Sequence, residues 1–96
     1  MATETYLIAI RWLDGQHDIF SELPMAMINT EKLKSDGKLY DISSDEGFYD
    51  EGAILSVIDF SEYLLPKEAL YSPEVYDWYN SINDDADFIF VHIAEY

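Results

Sequence analysis

Residues 41–62 read DISSDEGFYDEGAILSVIDFSE, and the fold is organised around this stretch. The first half, up to Gly52, is a carboxylate-rich polar segment with two glycines, which predicts a loop. The second half contains AILSVIDF, a continuous apolar segment from Ala53 to Phe60. Because strands buried in a sheet are nearly continuous in apolar residues, this segment predicts a central strand covered on at least one face. The rest of the chain is then a scaffold that presents the acidic loop.

Three other segments predict strands, at Thr5 to Leu13, Lys38 to Ile42 and Asp87 to Glu95. In the first of them two sets of side chains alternate, and the bulkier set is expected to be the buried face: Tyr6, Ile8, Ile10 and Trp12. The last segment is apolar on both faces, which is typical of an interior strand. Asp14-Gly15 predicts a tight turn. His17 to Glu22 fits a helical turn and a short edge strand equally well.

The main helix is predicted after Ser72-Pro73-Glu74, where a capping residue, a proline and an acid stand in the order typical of a helix start. A stripe of apolar residues follows with the spacing of one helix face: Val75, Trp78, Tyr79 and Ile82. A shorter helix is predicted from Glu31 to Ser35, capped by Asn29 or Thr30.

These elements predict the α+β fold class. The expected architecture is a small antiparallel sheet of about four strands with one main helix (about residues 73–83) packed on one face, and one or two short helices. The 96 residues are expected to form a single compact acidic domain.

The charge balance is the strongest functional signal. Twenty acidic residues against five basic ones give a formal net charge of −15. Self-repulsion of this size destabilises a compact state, so a basic partner, bound cations or a saline habitat is expected to compensate it. Direct nucleic-acid binding is not expected, because phosphate binding requires Lys and Arg. Three of the five basic residues lie together, between Lys32 and Lys38.

The sequence contains no cysteine, which excludes disulfides and thiolate metal sites. The first ten residues, MATETYLIAI, have no basic region, and their apolar part is too short for a secretory signal or a membrane span. A cytoplasmic protein without membrane contact is therefore expected.

No motif predicts catalysis, a cofactor or a metal site. Counting back from Gly47 or Gly52 places Ile42 or Gly47 at the first ligand position of an EF-hand loop, where neither side chain can bind calcium. No nucleophile elbow or phosphate-binding glycine loop is present, and His92 lies in a predicted strand. Acids are so frequent that chance pairs of carboxylates are inevitable. The chain is therefore expected to be no enzyme.

Carboxylates at strand and helix spacings can approximate the phosphate track of a nucleic acid. The first row of candidates surrounds two aromatic residues that can anchor an interface. The expected partner-binding residues are Asp41, Asp45, Glu46, Phe48, Tyr49, Asp50, Glu51, Asp59, Glu62, Tyr76, Asp77, Asp84, Asp85 and Asp87.

In size and composition the chain resembles the DNA-mimic proteins of phages and mobile elements, such as anti-restriction, anti-CRISPR and uracil-glycosylase inhibitor proteins. The resemblance implies a non-enzymatic inhibitor that evades host defence by occupying the basic nucleic-acid-binding surface of a Cas effector, a restriction enzyme or another nuclease, in the host cytoplasm if the protein is phage-encoded. Two alternatives remain. One is an immunity or antitoxin protein that neutralises a basic nuclease toxin. The other is a structural or regulatory subunit, which can form a homodimer and whose acidic face serves only to keep the protein hydrated.

The acidic loop provides a first test of partner binding. Changing Asp45, Glu46, Asp50 and Glu51 together to Asn or Gln should weaken binding, because the attraction to a basic surface is reduced. The fold should stay intact or gain stability, because self-repulsion also falls. The affinity for a captured partner and the unfolding midpoint measure the two effects. An unchanged affinity would remove this loop from the interface.

Overall fold

The structure, a computed structural model, describes residues 3–42, 49–70 and 72–95, and its strands form one antiparallel sheet. The sheet has five strands in the order β2-β1-β5-β4-β3. The strands are β1 (Thr3–Leu13), β2 (Gln16–Leu23), β3 (Tyr40–Asp41), β4 (Tyr49–Ser56) and β5 (Phe88–Glu95). The helices are α1 (Thr30–Ser35), α2 (Val57–Phe60) and α3 (Ser72–Ile82), with a 3₁₀ turn at Ser61–Tyr63.

The α+β class is confirmed, and several details differ from expectation. The described sheet has five strands instead of four, and the helical layer is divided among several short helices, so a single main helix does not describe it. The longest of them, α3, begins and ends within one residue of the predicted bounds. None of the helices in the described ranges is both long and apolar enough to span a bilayer.

The additional strand is β2, which the sequence left open between a helical turn and a strand. Asp14 and Gly15 both have positive φ, 50° and 80°, and connect β1 to β2 in the tight hairpin turn that Asp-Gly predicts. The pairing register then shifts, because Ile10 pairs with Ile19 while Ala9 pairs with Ser21. Such a bulge adds one residue and interrupts the alternation of faces, which is the signal by which a strand is recognised.

The helices cover one face of the sheet, and the prediction of which face was wrong. The fully or almost fully buried side chains at the centre of the three middle strands include Leu7, Ala9, Ala53, Leu55, Ile89 and Val91. The bulkier set of β1, from Tyr6 to Trp12, lies on the opposite face and is exposed or half-buried. Side-chain size favoured that set, but burial is decided by where the helices pack, and this depends on the topology of the whole chain.

The strand predicted from Ala53 to Phe60 has different bounds: β4 begins at Tyr49, within the segment up to Gly52 that was predicted as a loop, and it ends at Ser56. There the Ser56 hydroxyl accepts a hydrogen bond from the backbone N–H of Asp59, at 3.1 Å, and so caps α2. In the helix Phe60 is fully buried whereas Ile58 is 80% exposed. In a strand these two residues would share one face, because the side-chain period of a strand is two. The apolar segment therefore changes from strand to helix at a capping serine.

The remaining helices follow their local signals. Asn29 caps α1 by accepting from the backbone N–H of Lys32, at 3.1 Å. The predicted stripe of α3 faces the core, with Val75, Trp78 and Ile82 buried. The indole N–H of Trp78 donates to the Ser21 hydroxyl at 3.0 Å, which links α3 to β2.

The strand-to-helix transition predicts different costs for two neighbouring apolar residues. Phe60→Ala should lower the free energy of unfolding by about 3–5 kcal/mol, because it leaves a cavity in the core. Ile58→Ala, the matched control in the same helix, should change it by less than about 0.5 kcal/mol. Urea unfolding of both variants measures the difference. Equal losses would indicate that residues 57–60 continue the strand.

Candidate functional site

The sheet face opposite the helices, named here the open face, carries large apolar and aromatic side chains. Strand pairing brings them side by side, since Ile10 lies opposite both Ile19 and Phe88, and Phe90 lies opposite both Ile8 and Ile54. Helices in the described ranges contribute their buried residues to the core on the other side of the sheet. The open face therefore presents an apolar surface that this part of the chain leaves uncovered.

Three rings at one end of the open face form a cluster, named here the ring cluster: Trp12, His17 and Phe88. The rings of Trp12 and His17 meet edge to face with their centroids 4.7 Å apart, and those of His17 and Phe88 are 6.2 Å apart. Trp12 is 57% exposed and Phe88 is 39% exposed. The backbone N–H of Trp12 donates to the carboxylate of Asp87. The exposed rings therefore lie close to the negative charge of the Asp87 carboxylate.

Charge is distributed unevenly between the two sides of the sheet. By strand alternation, Glu4, Glu22 and Asp50 lie on the open face. Arg11 lies on the other side, where it pairs with Asp18 at 3.6 Å. The four lysines belong to the helical layer or to the segments joined to it, at positions 32, 34, 38 and 67. Within the described ranges, the strand positions on the open face therefore include carboxylates and no lysine or arginine, and Lys34 of α1 lines a groove at the β3 edge together with Tyr40 and Asp50.

Two of the open-face carboxylates have partners within the chain, since the hydroxyl of Tyr6 donates to Glu4 and Asp50 contacts His92. Nε2 of His92 lies 3.2 Å from Oδ2 of Asp50, and both side chains are half-buried. The ring of His92 lies between those of Tyr6 and Phe90, with centroids 5.8 and 6.1 Å away. Asp50 thus has a structural contact in addition to its predicted place at an interface. Asn in its place can still accept a hydrogen bond from the imidazole.

The predicted partner-binding residues lie in several parts of the molecule. Asp45, Glu46 and Phe48 lie outside the described residues. Tyr49, Asp50 and Glu51 begin β4, and Asp41 of β3 pairs with Glu51. Three exposed acids follow one another between α3 and β5: Asp84, Asp85 and Asp87. The acids at positions 59, 62 and 77 belong to the helical layer.

Tyr76, the second predicted aromatic anchor, already has contacts within the chain. Its hydroxyl donates to the carbonyl oxygen of Leu65 at 3.1 Å. The ammonium of Lys67 lies over its ring, 5.5 Å from the centroid. Sequence reasoning did not select the more exposed ring of Trp12, because Trp12 was assigned to the buried face. The strand at 87–95, apolar on both faces, was the signal that a second apolar surface exists.

No group of three or more His, Asp or Glu side chains among the described residues is arranged to hold a metal ion. An open groove of about 630 Å³ lies beside the start of β1, and its lining includes Met25, Met27, Glu4 and Glu74. Two carboxylates beside methionines do not by themselves assign a reaction to this groove.

The helical layer contains a titratable group with a shifted pKa. The Tyr63 hydroxyl donates to Oδ2 of Asp36 at 2.8 Å, and the ammonium of Lys32 lies 5.0 Å from the centroid of the tyrosine ring. The hydrogen bond to the Asp36 carboxylate, followed by burial, raises the pKa of Tyr63 from 10.0 to about 12. The phenol thereby links the 3₁₀ turn to the end of α1.

This pKa shift predicts a loss of stability at high pH. Between pH 10 and about 12 the unfolded chain loses the Tyr63 proton whereas the folded chain keeps it. Stability must therefore fall as the pH rises through this range. Tyr63→Phe should remove the contribution of this phenol to the pH dependence. The variant should therefore lose less stability than the parent protein over the same pH range. Urea unfolding at a series of pH values measures both slopes, and identical slopes would contradict the assignment.

Comparison with known proteins provides no family assignment for this geometry, because no protein-family model, no curated protein and no solved structure matches the chain.

Proposed function

We propose that this protein is a non-enzymatic inhibitor that binds the basic nucleic-acid-binding surface of a target protein and excludes nucleic acid from it. The observation that carries the proposal is the placement of charge. The chain has a net charge of −15, and no strand position on the open face is a lysine or arginine within the described ranges. Surfaces that bind phosphates are rich in Lys and Arg, so they are the natural counterpart of such a surface.

Binding between oppositely charged surfaces has two electrostatic consequences. Attraction between oppositely charged surfaces raises the association rate, and screening by salt weakens it. Exposed acids at the rim of an interface act mainly on the association rate and on its salt dependence. The turn with Asp84 and Asp85 and the pair of Asp41 and Glu51 provide such acids at separate places.

The target class follows from the same argument. A Cas effector, a restriction enzyme or another nuclease has a basic channel for nucleic acid, and an inhibitor from a phage would meet it in the host cytoplasm. Inhibition then requires only occupation of the channel. This agrees with the lack of a catalytic motif in the sequence.

Displacement by DNA tests the proposal. Purified nucleic-acid-binding proteins are captured on the immobilised protein at low salt, and duplex DNA is then added. The expected result is that DNA releases the captured target, because both ligands occupy one surface. A target that binds DNA and this protein simultaneously, without interference, would overturn the proposal.

A pair of charge variants provides the control. Asp84→Asn with Asp85→Asn should weaken capture by roughly 2- to 10-fold, as expected for two exposed ion pairs. Lys32→Gln with Lys34→Gln changes as many charges in α1, and capture should remain equal or improve. If the two lysine changes weaken capture more than the two aspartate changes, the acidic surface is not the contact.

A further inference from the structure

We propose that the ring cluster on the open face is the centre of the interface, and that it receives an arginine-bearing segment of the basic partner. This inference rests on the proposed function, which requires a basic partner but does not say where that partner makes contact. The site consists of Trp12, His17 and Phe88 with the carboxylate of Asp87 beside them.

The way this chain accommodates its own cations supports the inference. Arg11 lies 4.8 Å from the centroid of the Phe20 ring and pairs with Asp18. Lys32 lies over Tyr63 and Lys67 over Tyr76. Three of the five basic residues are thus placed over rings.

The ring cluster has the same components without the cation. It joins exposed aromatic rings to a carboxylate, and no lysine or arginine of the described ranges lies over Trp12 or Phe88. Trp is the ring that binds cations best, and it is also enriched among the residues that dominate interface energies. A partner's cation would complete the arrangement that Arg11, Phe20 and Asp18 make within the chain.

The geometry favours arginine over lysine. A guanidinium is planar and weakly hydrated, stacks on rings, and can donate two hydrogen bonds to one carboxylate. The rings are also prepared for contact, because Trp12 and Phe88 both pack against His17. Binding therefore costs less side-chain conformational entropy than it would at isolated rings.

A second copy of this chain is a poorer occupant. A pairing of open faces would place Glu4, Glu22 and Asp50 against a second copy of the same surface, whose described strand positions offer no lysine or arginine to pair with them. It would also join two chains that each carry a net charge of −15. The apolar part of the open face favours association, but the charges on it favour a basic protein.

The test uses two probes of defined chemistry, an oligo-arginine and an oligo-lysine peptide of equal length, titrated into the isotopically labelled protein and followed by NMR chemical shifts. Oligo-arginine should bind about two- to fivefold more tightly, a difference comparable to one exposed cation–π contact, because the guanidinium stacks on rings and is more weakly hydrated than an ammonium. The largest shifts should occur at the Trp12 indole N–H, His17, Asp87 and Phe88.

Three variants locate the effect. Trp12→Ala should remove the preference for arginine, whereas Trp12→Phe, which keeps a ring, should retain part of it. Leu70→Ala, a change of an exposed apolar residue away from the sheet, should have no effect. The spectrum of each variant shows whether the fold is kept.

Equal affinity for the two peptides, or shifts concentrated in the helical layer, would overturn the inference. So would a dimer through the open face that persists at high salt in sedimentation. If these results occur while DNA still displaces the captured target, the inhibitor function stands and only the location is wrong. If arginine is preferred but DNA and the protein bind the target together, the function is wrong and the arginine site stands.

Discussion

The structure depends on the packing of a few helix residues against one face of the sheet. Phe60 is fully buried, and its ring lies 6.4 Å from that of Trp78 and 5.8 Å from that of Tyr79, measured between centroids. These rings belong to two helices, and they cover the face formed by the central strands. Because the described helices pack on this face of the sheet, the aromatic side chains of the opposite face remain at the surface. The packing that stabilises the fold thus also creates the open face.

The separation of charge follows from the same arrangement. Strand alternation sends Arg11 and Asp18 to one side and Glu4, Glu22 and Asp50 to the other, while the lysines lie in segments that pack on or join the helical layer. Aromatic rings hold three of the basic side chains in place. The result is a molecule whose two sides differ in chemistry, with apolar rings and carboxylates together on one of them.

Local signals in the sequence were sufficient for the elements but not for their environment. The cap at Asn29, the Asp-Gly turn and the stripe of α3 were all predicted, because each depends on residues a few positions apart. The covered face of β1 was not, since it depends on pairing with residues 88–95 and on helices from the second half of the chain. The end of β4 at Ser56 was not predicted, because AILSVIDF is apolar except at Ser56 and Asp59 and as a whole predicts one strand.

The candidate site also has one part that could be predicted from the sequence and one part that could not. Its acids could be selected from composition, although Asp50 also has the partner His92 within the fold. Its ring cluster could not, because Trp12, His17 and Phe88 lie on three different strands and meet only through the register of the sheet. A surface that depends on register cannot be derived from spacing along the chain.

The central claim is that the surplus of negative charge exists to meet a positively charged protein surface. The affinity for a captured target, measured over a series of sodium chloride concentrations, tests it most directly. The account predicts that the logarithm of the binding constant falls steadily as the logarithm of the salt concentration rises, because screening weakens the attraction. An affinity that does not change with salt would contradict it.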